Sequence, residues 1–150
     1  MSLVSSVKFN KPLPSIALAA GSFYIAQTLL GLWQPQQEIF QSPTDYWIEL
    51  FFVAALLCTL GGLVTIRQSY VGKVDKLFTV GLAVAVAGVS GLLVSAVATL
   101  LLGQNALGLL FVLGLLATLL GNLLLGIAIV RAKVWPIWLG LLLILSWPLS

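Results

Sequence analysis

Apolar residues run almost unbroken through five stretches of the chain, and polar residues gather in the short segments between them. Crossing the hydrocarbon core of a bilayer takes about 20 apolar residues in a helix. The stretches at 15–33, 45–66, 76–102, 106–130 and 135–150 meet or approach that length. In lipid every backbone N–H and C=O must be satisfied within the protein, which leaves helices or a closed barrel. Long uniform apolar runs without period-two alternation predict helices. The fold class is therefore all-α: a polytopic transmembrane helix bundle of about five spans, forming one integral membrane domain over residues 1–150. The first run also resembles the apolar part of a signal peptide. Its small residues Ala17, Ala19 and Ala20 lie at its start, however, whereas a cleavage site would follow its end, so we read an uncleaved helix.

The segments between runs carry helix signals. In Ser42-Pro43-Thr44-Asp45 the serine can cap, the proline suits the first helical position, and the aspartate stands where a capping-box acid reaches back. Gly72 marks the next connector, and Asp75 is an N-cap for the third run. At 1.5 Å per residue the third run reaches about 40 Å, long enough to tilt or project beyond the core. Gly103-Gln104-Asn105 predicts a tight turn. Trp135-Pro136 opens the fifth run.

Charge orients this pattern. Only 7% of residues are charged against 61% hydrophobic, with mean hydropathy +1.15. A soluble domain carries roughly a quarter charged residues, so lipid must solvate most of this chain. The seven basic residues are Lys8, Lys11, Arg67, Lys73, Lys76, Arg131 and Lys133, all at alternate ends of the runs. If all five runs cross, every one of them falls on one side, and the other side holds Glu38, Asp45 and Glu49. By the positive-inside rule the N-terminus is expected in the cytoplasm and the C-terminus outside, in a bacterial inner membrane. Trp33, Tyr46 and Trp47 then mark the outer interface, and Tyr70, Trp135 and Trp138 the inner one. Scattered in this way, the basic residues form no stripe that could follow nucleic-acid phosphates.

A repeat is visible inside the pattern. Phe52-Val53-x-x-Leu56-Leu57-x-Thr59-Leu60 in the second run matches Phe111-Val112-x-x-Leu115-Leu116-x-Thr118-Leu119 in the fourth. An even number of spans separates the copies, so they would form parallel two-helix hairpins. The fifth run would open a third hairpin. Either its chain ends outside, or a sixth span follows Ser150.

Little in the sequence supports catalysis. Histidine is absent, which excludes His-ligated haem or chlorophyll and the commonest general base. Cys58 is alone and reads as a small buried hydrophobe. No metal site is demanded, and no cofactor is predicted, although lipid, carotenoid or quinone contact between spans is compatible with the composition. No ionisable residue lies near a span centre. Glu49 is the deepest. Placed one turn inside the outer boundary, it would complement the positive end of its helix and face headgroup water. With Glu38 and Asp45 it would form a small acidic outer patch.

The polar residues within the runs are mostly small and recur every four positions: Ala83, Ala87, Gly91, Ser95 and Thr99 in the third run, and Gly114, Thr118, Asn122 and Gly126 in the fourth. The second run offers Ala54, Cys58 and Gly62. Small residues let helix backbones approach, and hydroxyls and amides bond across them. Helix packing is the expected role. The alternative is a substrate path lined by Ser95, Thr99, Thr118 and Asn122. A bare amide facing lipid is costly, so Asn122 should point into the bundle or at a partner.

The passage Arg131-x-x-Val134-x-Pro136-x-Trp138-x-Gly140, closing a Gly/Leu-rich span, resembles a turn found in bacterial multi-pass membrane proteins of about six spans and no assigned activity. The short basic start, single span, outer loop and Arg-terminated second span are similar too. The resemblance implies a multi-pass fold and transfers no functional residue. Two functions are expected from these features: a structural or accessory membrane subunit that packs against a larger complex or another copy of itself, and, as the alternative, a small transporter or handler of lipid and other hydrophobic molecules. The partners in either case are membrane lipids and membrane proteins.

Overall fold

The computed structural model describes residues 12–34, 39–69, 75–105 and 107–132. They form four helices: α1 (Pro12–Trp33), α2 (Pro43–Ser69), α3 (Lys76–Leu102) and α4 (Gly108–Ala132). Among the described residues there is no strand; a single antiparallel bridge joins Ile39 to Gln104. Where the sequence predicts about five spans, α2, α3 and α4 are long and apolar enough to cross a membrane, and α1 has a shorter apolar stretch, Leu18–Trp33. The fifth run at 135–150 lies outside the described residues, as do Lys8, Lys11, Glu38, Lys73 and Lys133.

Helix ends follow local chemistry. α1 and α2 both open on a proline, which loses no hydrogen bond at that position. The capping box of α2 is formed. Ser42 N donates to Asp45 Oδ2 at 2.9 Å, and Asp45 N donates to Ser42 Oγ at 3.4 Å. Asp75 takes the extended N-cap backbone of α3, but its side chain makes no capping hydrogen bond. α3 ends on Gly103, whose φ of 63° is left-handed and whose N–H donates to Thr99 O at 2.9 Å.

The helices stand as a row in chain order. α1 packs on α2, α2 on α3, and α3 on α4, with the α2–α3 contact the smallest. Neighbours are antiparallel: Ile16 lies against Gly61 and Gly62, and Phe23 stacks on Phe51 with centroids 6.1 Å apart. The row folds on itself enough for Phe52 of α2 to meet Phe111 of α4 at 6.0 Å. These are the two phenylalanines that open the repeated segments. The core lies where α2, α3 and α4 converge, on Leu56, Leu63, Phe78, Val89 and Leu125. At one end the two interhelix segments are tied together. Phe40 N donates to Gly103 O at 2.8 Å, and the Phe40 and Tyr46 rings meet edge to face at 4.9 Å.

Candidate functional site: the α3–α4 seam and the flank of α4

Among the described helices, α3 and α4 approach each other most closely. A Cβ placed on Gly88 would stand 2.6 Å from Thr118 Oγ1 and 2.8 Å from Gly114 O. One on Gly114 would stand 2.9 Å from Leu92 N and 3.0 Å from Gly88 O, and one on Gly121 would meet the Ala85 methyl at 2.7 Å. Gly81 is closed in the same way by Leu124 and Leu125. Backbone lies close along this seam, and at Gly81, Gly88, Gly114 and Gly121 there is no room for a Cβ.

Rows of seven, not rows of four, build the seam. Successive helical residues are turned by about 100°, so a four-residue step overshoots a full turn by about 40° and a seven-residue step falls short of two turns by about 20°. Gly81, Gly88 and Ser95 are seven apart and all buried, as are Gly114, Gly121 and Ala128. The four-residue row of α3 instead winds around the helix. Ala83 and Ala87 are exposed, Gly91 is half-buried, and only Ser95 and Thr99 are buried. Ala87 therefore belongs to the outer surface and not to a packing face. At Gly91 a Cβ would meet Gly114 Cα at 3.6 Å and Leu110 at 3.8 Å, which is ordinary contact. In α4, Gly114 and Gly126 are buried while Thr118 and Asn122 are half-buried. Gly81, Gly88 and Gly121 fall outside the four-residue rows, and the seven-residue spacing of the glycines is the signal that finds them; Ala85, which meets Gly121, stands on neither kind of row.

The hydroxyls that could line a path are engaged with backbone. Thr99 Oγ1 donates to Ser95 O at 2.9 Å and Thr118 Oγ1 to Gly114 O at 2.8 Å, each within its own helix. Ser95 Oγ reaches across the hairpin and donates to Leu107 O at 3.2 Å. Thr59 repeats the Thr118 pattern on Ala55 O at 2.8 Å. The two repeated segments thus share their threonine bond, yet their hairpins close differently. Gly62 corresponds to Gly121 but has its nearest neighbour, Ile16, at an ordinary 3.9 Å.

Asn122 differs from these hydroxyls. Its half-buried amide has no hydrogen-bond partner among the described residues. It sits 14 residues into the 25-residue α4, roughly 21 Å along a helix of about 37 Å. Its angular position is about 100° from Gly121, on the flank that carries Phe111 and Leu115. The adjoining outer face is apolar, with Val112, Leu116 and Leu120 exposed.

The acidic residues are placed otherwise than their spacing suggests. Asp45 is fully buried and Glu49 only 8% exposed, so Glu49 does not face open headgroup water. They are four residues apart and share with Ile48 the inward side of the first turns of α2. Asp45 Oδ2 accepts from Gln41 N at 3.1 Å, Ser42 N at 2.9 Å and Ser42 Oγ at 3.0 Å. This carboxylate serves a helix cap and is not part of an open patch; Glu38 lies outside the described residues. Among the described residues no group of three metal-ligating side chains comes together. Cys58 is half-buried.

A groove lies apart from the seam, between the end of α2 and the start of α3, with Arg67 at its mouth and a volume of about 450 Å³. Comparison with protein-family models, with curated proteins and with solved structures finds no match for this chain.

Proposed function

We propose that this chain is a structural or accessory integral membrane protein that associates laterally, through the flank of α4, with a membrane protein partner or a second copy of itself. The single observation that carries the reading is Asn122. An amide transferred out of water without a hydrogen bond costs roughly 2–7 kcal/mol, depending on the reference state. Across a helix interface in lipid the same amide contributes about 0.6–2 kcal/mol when it finds a partner. A residue that is costly alone and favourable when paired, halfway along a span, is suited to an interface.

The reading extends to placement: a bacterial inner membrane, N-terminus in the cytoplasm and C-terminus outside, on the one-sided basic residues of the sequence. It is also non-enzymatic, on the absence of histidine from the sequence and of any ionisable residue near a span centre. Transport along the α3–α4 seam has little to support it, because Ser95, Thr99 and Thr118 already donate to backbone carbonyls and glycine contacts close the space between.

The test is association in mild detergent, read by crosslinking and by size. The full chain should be captured with a second copy or a stable membrane partner, and Asn122→Leu should weaken that capture about three- to thirtyfold, the range set by one interhelical hydrogen bond. A chain that stays alone, or an Asn122→Leu variant captured as well as the parent, would count decisively against the reading. Gly114 is unsuitable as a test of the partner contact, because its substitution would open the internal hairpin.

A further inference from the structure

We infer that the groove between the C-terminal turns of α2 and the first turns of α3 is a binding site for an anionic phospholipid, with an acyl chain along its walls and the phosphate at Arg67. This inference is independent of the lateral association proposed above. The walls are apolar: Leu63 from α2, and Phe78, Leu82 and Val86 from α3. Leu63, Phe78 and Leu82 are themselves buried, so the walls belong to the core and are set by its packing. Residues 78 to 86 of α3 extend about 12 Å, so the groove runs two helical turns into the apolar layer. Its volume, about 450 Å³, falls in the range of small-molecule sites.

Polar groups stand only at the mouth. Arg67 and Thr79 line it, one from each helix. Arg67 is exposed, and no ion pair holds it among the described residues. Lys76, also exposed, is the first residue of α3. The same turn presents backbone N–H groups that the Asp75 side chain does not cap. The Thr79 hydroxyl reaches only Asp75 O, at a long 3.4 Å. Asp75 is the one acid at this end among the described residues, and it is outnumbered by Arg67 and Lys76.

Charge complementarity selects the occupant. A guanidinium binds phosphate through two parallel hydrogen bonds, and a helix N-terminus adds donors and positive potential. A neutral hydrophobe would use the walls and leave this mouth unused. A free anion would use the mouth and leave the walls unused. A phospholipid with net negative charge uses both, and the mouth lies at the end of two membrane-length helices, at the level where lipid phosphates sit.

The experiment is native mass spectrometry of the full chain taken from bilayers with equal parts phosphatidylglycerol and phosphatidylcholine bearing the same acyl chains. One phosphatidylglycerol should be retained in preference. Arg67→Gln should lower the phosphatidylglycerol-to-phosphatidylcholine ratio about tenfold, as expected for loss of a charge-assisted hydrogen bond, while Arg131→Gln at the end of α4 leaves it unchanged. Ala83→Phe, at an exposed wall position, should remove retained lipid of both kinds. Both groove substitutions are at exposed positions, and unchanged helical circular dichroism verifies the fold. An unaltered ratio in Arg67→Gln, lipid retained in Ala83→Phe, or displacement of the lipid by inorganic phosphate alone would each overturn the assignment.

Discussion

Replacing Gly88 by alanine should destabilise the protein, whereas the same change three residues later, at Gly91, should not. At Gly88 the added methyl falls 2.6 Å from Thr118 Oγ1 and 2.8 Å from Gly114 O. The Thr118 backbone N is nearer still, and ordinary contact begins near 3.4 Å, so the two helices must part by about 1 Å. The obstructing Gly114 oxygen is backbone and cannot rotate away. A radial gap of about 0.5–1 Å forfeits a quarter to a half of each van der Waals contact it opens. The seam bears several such contacts, at Gly81, Gly114 and Gly121 as well as at Gly88. Overpacking of this kind costs about 1–3 kcal/mol. At Gly91 the methyl enters ordinary contact at 3.6 Å with Gly114 Cα. Both changes gain the same helix preference of alanine over glycine, about 1 kcal/mol, so the difference between the two variants isolates the steric effect. Thermal unfolding in mild detergent should place Gly88→Ala about 4–8 °C below Gly91→Ala if the steric term is near 2 kcal/mol. Equal midpoints, or the reverse order, would mean that the seam is not held by the rows of seven.

Two further outcomes concern the tied end of the bundle. Gly103→Ala forces an L-residue into left-handed backbone and brings a methyl 3.0 Å from the Tyr46 hydroxyl; unfolding should show a loss of about 1–2 kcal/mol, with Gly103→Asn milder because asparagine tolerates this backbone. Asp45→Ala removes a carboxylate that accepts from Gln41 N, Ser42 N and Ser42 Oγ. The expected loss is about 1–2 kcal/mol, with faster hydrogen exchange confined to the first turn of α2, and unchanged exchange there would refute the capping role.

Much of the helical layout was legible in the sequence, because lipid leaves a long apolar run one regular way to satisfy its backbone. The third run was read as 76–102 and α3 has those bounds. The cap at Ser42 and Asp45 was legible for a local reason: its donors and acceptors lie within three residues of one another. So was the turn at Gly103. Asp75 shows where such local reasoning ends, since the N-cap backbone formed without the side-chain bond.

The faces of the helices were decided by the tertiary structure. A helix in water reveals its buried side by the alternation of apolar and polar residues. These helices are apolar on every side, with Leu101, Leu109 and Leu113 among the exposed residues and Leu92 and Leu125 among the buried ones, so hydrophobicity carries no directional information. Residue size is the remaining signal, and it permits rows of four or of seven. Only the meeting of two backbones selects between them, placing Gly88 and Gly121 inside and Ala87 outside. The burial of Glu49 and the groove beneath Arg67 arise in the same way, from how separate helices converge. What the sequence determined by itself was thus a set of apolar helices, the cap at Ser42 and Asp45, and the turn at Gly103. Which side of each helix meets its neighbour was decided by close packing in three dimensions.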